Sequence, residues 1–190
     1  MDANENDDGR PKGNWETSYS GAFGQIGIEC TYLVALALIC LLTLWSLLSC
    51  AVALHEGRSA SGILCAAGVC DPADPTLLIV SLFFISGVLG GTAFAIKWLY
   101  HTIARQTWHR DRFLWRLCVP LNGGILAIFV SFIFAKTFGV TFAKDNLGMS
   151  TITQLAGFSF LVGVFADGVL AMLERLARNI FGTLESLSGK

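Results

Sequence analysis

The sequence predicts an all-α, polytopic membrane protein: four transmembrane helices followed by an amphipathic C-terminal helical extension. Three observations predict it. Charges are scarce, at 14% of residues, against about 25% in an ordinary soluble domain. They are also unevenly spread, leaving uncharged stretches of 25 residues between Glu29 and His55, 22 between Asp74 and Lys97, 19 between Arg116 and Lys136, and 21 between Asp145 and Asp167. A helix needs about 20 apolar residues to cross the hydrocarbon layer. Finally, the segment Lys97–Arg116 between the second and third stretches holds five of the 13 Lys and Arg residues, with Trp98, Trp108 and Trp115. That mixture suits a turn at headgroup level, because basic residues resist crossing a bilayer and Trp settles at its boundary. A soluble bundle would need a polar face on each helix, and none of the four stretches carries one.

Residues 1–24 are polar and rich in Asp, Asn, Glu, Gly and Ser, too poor in apolar surface to order themselves, so a flexible tail is expected. Their acidic character, and the length of the apolar run that follows, do not fit a signal peptide. The first span is placed at about 30–54, with Ser46/Cys50 and Ser49/Ala53 each four apart on one face. Small residues let helix backbones approach closely where lipid removes the hydrophobic drive between helices.

The loop that follows ends in Asp71-Pro72 and Asp74-Pro75, with Asp74 expected as N-cap and Pro75 in the first turn of the next helix. Cys65 and Cys70 lie in this loop. They form a disulfide if it faces an oxidising compartment, and two free thiols are equally compatible with the spacing. The second span, about 75–96, carries Ser86, Gly87, Gly90 and Gly91, a small-residue face for helix packing. The third, about 114–135, contains Pro120, which kinks a helix, and then Asn122, which either bridges helices or lines a polar path. Thr151 and Gln154 are spaced as a capping box opening the fourth span, about 152–171, where Ser159 and Gly163 give another close-packing face. The helix is expected to run on past Asp167 without a break. Residues 173–190 form its amphipathic tail, with Leu173, Leu176, Ile180, Leu184 and Leu187 opposite Glu174, Arg175, Arg178 and Glu185.

Sidedness follows from Lys and Arg. Arg10, Lys12, the five of the hairpin, Arg175, Arg178 and Lys190 fall on one side, ten in all; Arg58, Lys136 and Lys144 fall on the other. The richer side is cytoplasmic by the positive-inside rule, so both termini are expected in the cytoplasm. The hairpin and tail residues Lys97, Trp108, Arg110, Arg112, Trp115, Arg116, Arg175 and Arg178 are then the candidates for contact with anionic lipid headgroups or a cytoplasmic protein partner.

Several features together resemble a group of small bacterial four-helix membrane proteins of poorly defined function. They are Gly90-Gly91, then Trp108 with Arg112 and Trp115, Pro120 with Gly123, and Asn146-Leu147-Gly148. Leu161-Val162-Gly163-Val164-Phe165-Ala166-Asp167 follows, with Leu173 and Phe181. The resemblance covers about residues 75–182 and implies a bacterial inner-membrane location; the group's usual Ser or Glu near Asp167 is absent here. In size and topology the chain is also similar to the membrane subunit of the Kiwa antiphage defence system, which implies a sensor or anchor role in such defence.

The sequence carries no phosphate-binding glycine loop and no His-Glu-x-x-His zinc motif, and nothing arranges Ser, His and Asp as a triad. Neither catalysis, nor a cofactor, nor a bound metal, nor nucleic acid is expected. Ionisable residues fall at span ends, which disfavours an ion-coupled transporter. The expected function is a non-enzymatic membrane module that self-associates through its glycine faces and presents the basic hairpin and C-terminal helix to a partner. The alternative is a pore or permeabilising effector with Asn122 and Ser159 lining a polar path.

Overall fold

The computed structural model describes residues 22–56, 75–105, 108, 112–137 and 149–188. The described residues form α1 (Ala22–His55), α2 (Thr76–Ala104), α3 (Phe113–Thr137), α4 (Met149–Val164) and α5 (Ala166–Ser188), with no strand among them. Three helices, α1 to α3, are each long and apolar enough to cross a membrane; α4 and the start of α5 make a fourth candidate only if taken together as one broken span.

Helix α2 is the centre of the bundle and packs against α1, α3 and α4. The reason lies in its glycines. Gly87 on α2, Gly123 on α3 and Gly163 on α4 meet at one level. A Cβ on Gly123 would stand 2.9 Å from the Gly87 carbonyl oxygen and 3.3 Å from the Gly163 Cα. A Cβ on Gly163 would collide with the Gly87 carbonyl itself. One turn on, Gly91 lies against the Pro120 backbone, 2.8 Å from a Cβ to its Cα. In lipid, van der Waals packing holds helices together, so such close approach is the main source of cohesion. The self-association assigned to these glycine faces therefore needs correcting: within one chain they are already filled by neighbouring helices.

Two apolar clusters lie at the two ends of the bundle. At the far end, Leu47, Cys50 and Ala51 of α1 pack with Leu78, Ile79, Leu82 and Phe83 of α2 and Ile152 of α4. At the hairpin end, where α2 turns into α3, Leu33 of α1 packs with Ala95 and Leu99 of α2, Val119 of α3 and Trp108 of the connection. The outer surface is apolar, with Leu38, Leu42, Trp45, Phe129 and Ile133 exposed. Hydroxyls on or near that surface bond back into their own helix: Thr31, Thr43 and Ser46 each donate to the carbonyl four residues earlier, at 2.8, 2.8 and 2.9 Å.

Several boundaries differ from expectation. Helix α1 begins at Ala22 rather than near 30, so Glu29 is inside it. The basic segment is mostly helix, because α2 runs on to Ala104 and α3 starts at Phe113. Pro75 occupies the N-cap of α2 and supplies no side-chain cap bond; Asp74 lies outside the described residues. Thr151 is inside α4, not at its cap. The continuous helix expected across 152–171 breaks at Phe165, with a bend of 79° between 150–164 and 166–179. Gly163 and Gly168 flank the break, and glycine is a poor helix former. Asp167 in the first turn of α5 favours a fresh N-terminus, because a carboxylate offsets its positive end.

Gly163→Ala should lower stability in detergent by about 1–3 kcal/mol, since the methyl group meets backbone rather than a movable side chain. Gly157→Ala, where nothing lies within 4 Å, should be neutral or stabilise by up to about 1 kcal/mol. Thermal unfolding of both variants checks this; equal melting temperatures would separate these helices.

Candidate functional site

The connection between α2 and α3 returns one side chain, Trp108, to the bundle interior, where it is fully buried. Beside it lies an ion pair between α1 and α3. The Arg116 guanidinium donates to Glu29 Oε2 at 2.7 Å, and both side chains are 3% exposed. Trp108 Nε1–H donates to the same oxygen at 3.3 Å, and the Arg116 guanidinium carbon sits 5.4 Å from the Trp108 ring centroid. One carboxylate thus joins α1, the first turn of α3 and the connection between α2 and α3. Each charge compensates the other, as burial demands, and the indole adds a donor and a cation–π face. The Oε1 atom of Glu29 is buried with no hydrogen-bond partner among the described residues.

Outside this sealed pair lies an aromatic and basic collar. Phe94 and Trp98 stack at 6.3 Å, and Trp115 meets both edge-on at 6.4 Å. Trp98 and Trp115 are exposed, as are Lys97 and Arg105; Arg112 is half-buried. Helix α2 carries Phe94, Lys97 and Trp98 on consecutive turns and α3 opens with Trp115, which is why residues far apart in sequence make one patch.

Of the expected contact residues, Lys97, Arg112 and Trp115 reach the surface at this end. Arg116 and Trp108 do not: both are interior, because each other and Glu29 satisfy them. Arg110 lies outside the described residues. Arg175 and Arg178 are exposed on α5, and Arg178 pairs with Glu174. Ser86, Gly87, Gly90, Gly91, Ser159 and Gly163 are all buried among α2, α3 and α4. Ser159 shares a 2.8 Å hydrogen bond with Ser131 of α3 and donates to the Leu155 carbonyl at 2.8 Å. Asn122 is exposed, so it neither bridges helices in the core nor lines a path with Ser159, which is fully buried. Cys50 is disulfide-bonded and Cys30, Cys40 and Cys118 are free, which leaves Cys65 and Cys70, the expected pair, outside the described residues.

Reasoning from sequence missed Glu29 as a partner. The available signal was an acid and a base at span ends on the same predicted side, each isolated by a long apolar run.

Fold and site together describe a helical protein with three helices, or four counting the bent pair, long and apolar enough to cross a membrane, and with buried polar pairs, Glu29–Arg116 and Ser131–Ser159, that bond across helices. In comparisons with known proteins, no family model, no curated protein and no solved structure matches the chain.

Removing Glu29 alone, as in Glu29→Leu, takes away the carboxylate to which the buried Arg116 guanidinium donates and should cost about 3–5 kcal/mol. The double variant Glu29→Leu with Arg116→Leu should recover most of that, since no charge remains to be compensated. Unfolding of the two variants in the same detergent measures the difference.

Proposed function

We propose that the chain is a non-enzymatic, multi-pass module of the bacterial inner membrane that holds a rigid basic and aromatic surface at its cytoplasmic boundary for a protein partner. The observation that carries this reading is the sealed Glu29–Arg116–Trp108 set. It ties α1, α3 and the hairpin together beneath the exposed Lys97, Trp98, Arg105 and Trp115. A preorganised patch of Trp and Arg is the composition in which binding energy concentrates at protein interfaces, and rigidity lowers the entropy lost on docking.

Two independent features support the cytoplasmic assignment of the hairpin end. The ten-to-three division of Lys and Arg favours it. A disulfide at Cys50, near the far end of α1, suits an oxidising compartment and so supports a reducing one at the opposite end. The bacterial location rests on the sequence resemblance described above.

An alkaline phosphatase fusion after residue 144 should be active, and a fluorescent protein fused to the C-terminus should mature in the cytoplasm. With that topology in place, Lys97→Glu with Arg105→Glu should abolish in-cell photo-crosslinking to the partner from position 98 while leaving insertion and melting temperature unchanged. Undiminished crosslinking would remove the patch from the function.

A further inference from the structure

The last helix leaves the bundle in a direction and at a depth that the membrane reading can interpret. On that reading, we infer that α5 is an interfacial helix: its apolar side lies in the acyl–headgroup boundary of the leaflet at the hairpin end, in the same membrane that α1 to α3 cross.

Depth comes first. Helix α4 has 16 residues, a rise of about 24 Å, short of the roughly 30 Å of hydrocarbon. Its final residue is beside the middle of α2, since a Cβ on Gly90 would stand 2.9 Å from the Val164 nitrogen. From Gly90, Lys97 is a further rise of about 10 Å along α2. With Lys97 marking the boundary, the chain reaches Phe165 about 10 Å inside it. Interfacial helices bury their apolar side about 5–10 Å into this zone.

Direction comes second. At Phe165 the chain bends by 79°. Residues 166–179 extend about 21 Å, yet at that inclination they advance only about 4 Å along the axis of α4. The helix therefore travels within the leaflet instead of completing the crossing.

The faces agree with that placement. Val169, Leu170 and Leu173 share one side at helical spacing, and Leu170, Met172 and Leu173 are exposed. Asp167, Glu174, Arg175, Arg178 and Asn179, also exposed, occupy the opposite side. Leu161 of α4 and Phe165 at the break are bare as well, so apolar side chains suited to acyl chains are exposed on both sides of the bend. On the polar side Glu174 and Arg178 neutralise each other, and their long stems let charged ends reach the headgroups. Because α5 follows α4 after a single residue, its encounter with the bilayer is intramolecular and needs no further association.

The test places an environment-sensitive fluorescent amino acid at Leu173 or at Arg175 in the full-length chain, reconstituted in phosphatidylcholine–phosphatidylglycerol vesicles. Lipids brominated on the acyl chain should quench the probe at 173 several-fold more than the probe at 175, and aqueous iodide should show the reverse order. Equal iodide quenching at both positions would overturn the inference by placing α5 in water. Protection of position 173 from both quenchers would overturn it by showing a second copy, or the bundle itself, on that side. Crosslinking from position 98 stays readable in either case, so the partner surface and the interfacial helix fail separately.

Discussion

The rest of the structure depends on backbone meeting backbone at Gly87, Gly123 and Gly163. In water, burying apolar side chains would hold three helices together; in lipid the tails are as apolar as leucine, and that drive disappears. What remains is close van der Waals contact, which strengthens as axes approach. Three glycines at one level bring α2, α3 and α4 nearer than any side chain would allow. They also fix the axial position of α4 relative to α2, and hence the depth at which α4 ends.

Polar groups in this protein divide by what the surroundings leave them. On the outer surface, Thr31, Thr43 and Ser46 bond to their own helices, so they ask nothing of lipid. Inside, Ser131 and Ser159 bond to each other across α3 and α4. Two ion pairs among the described residues differ most. Glu174–Arg178 is exposed and within one helix turn, a pair of little energetic weight where water screens it. Glu29–Arg116 joins two helices with both side chains sealed, so each charge makes the other tolerable and neither can be removed alone.

What the sequence made legible is what depends on composition along one helix. The uncharged runs locate α1 to α3, and the small-residue spacings of α2 and α4 mark faces that pack, whereas those expected on α1 do not, since Ser46 and Ser49 are exposed. What it hid depends on relations between helices. Glu29 and Arg116 are 87 residues apart, and each alone reads as a span end. Trp108 reads as a boundary aromatic until the carboxylate that accepts from it is known. Asn122 has the chemistry of a core bridge, but its rotation about α3 turns it outward, and a spacing rule around a proline does not set that angle. The helical first half of the basic segment is hidden because Lys97, a charge after a long apolar run, reads as the close of a span, although nothing in its residues stops a helix; the start of α3 at Phe113 is legible. The break at Phe165 left a clue in Gly163, Asp167 and Gly168, yet the apolar pattern runs through it without interruption.

Helix α1 shows why a membrane protein would keep a buried ion pair that packing alone could replace. It leans chiefly on α2, and most of its circumference is apolar and exposed. Apolar packing of this kind specifies rotation and axial register weakly, because a sliding helix exchanges one leucine contact for another and lipid fills what is left. A charge pair has no such tolerance: moving Glu29 by one turn, about 5.4 Å, leaves two ions unpaired in a dry site. Register is the role for which buried polar groups are best attested, and here it falls on the bundle helix with the fewest other constraints. The glycine contact joins α2, α3 and α4 by proximity; α1 is joined to α3 by chemistry at the hairpin end.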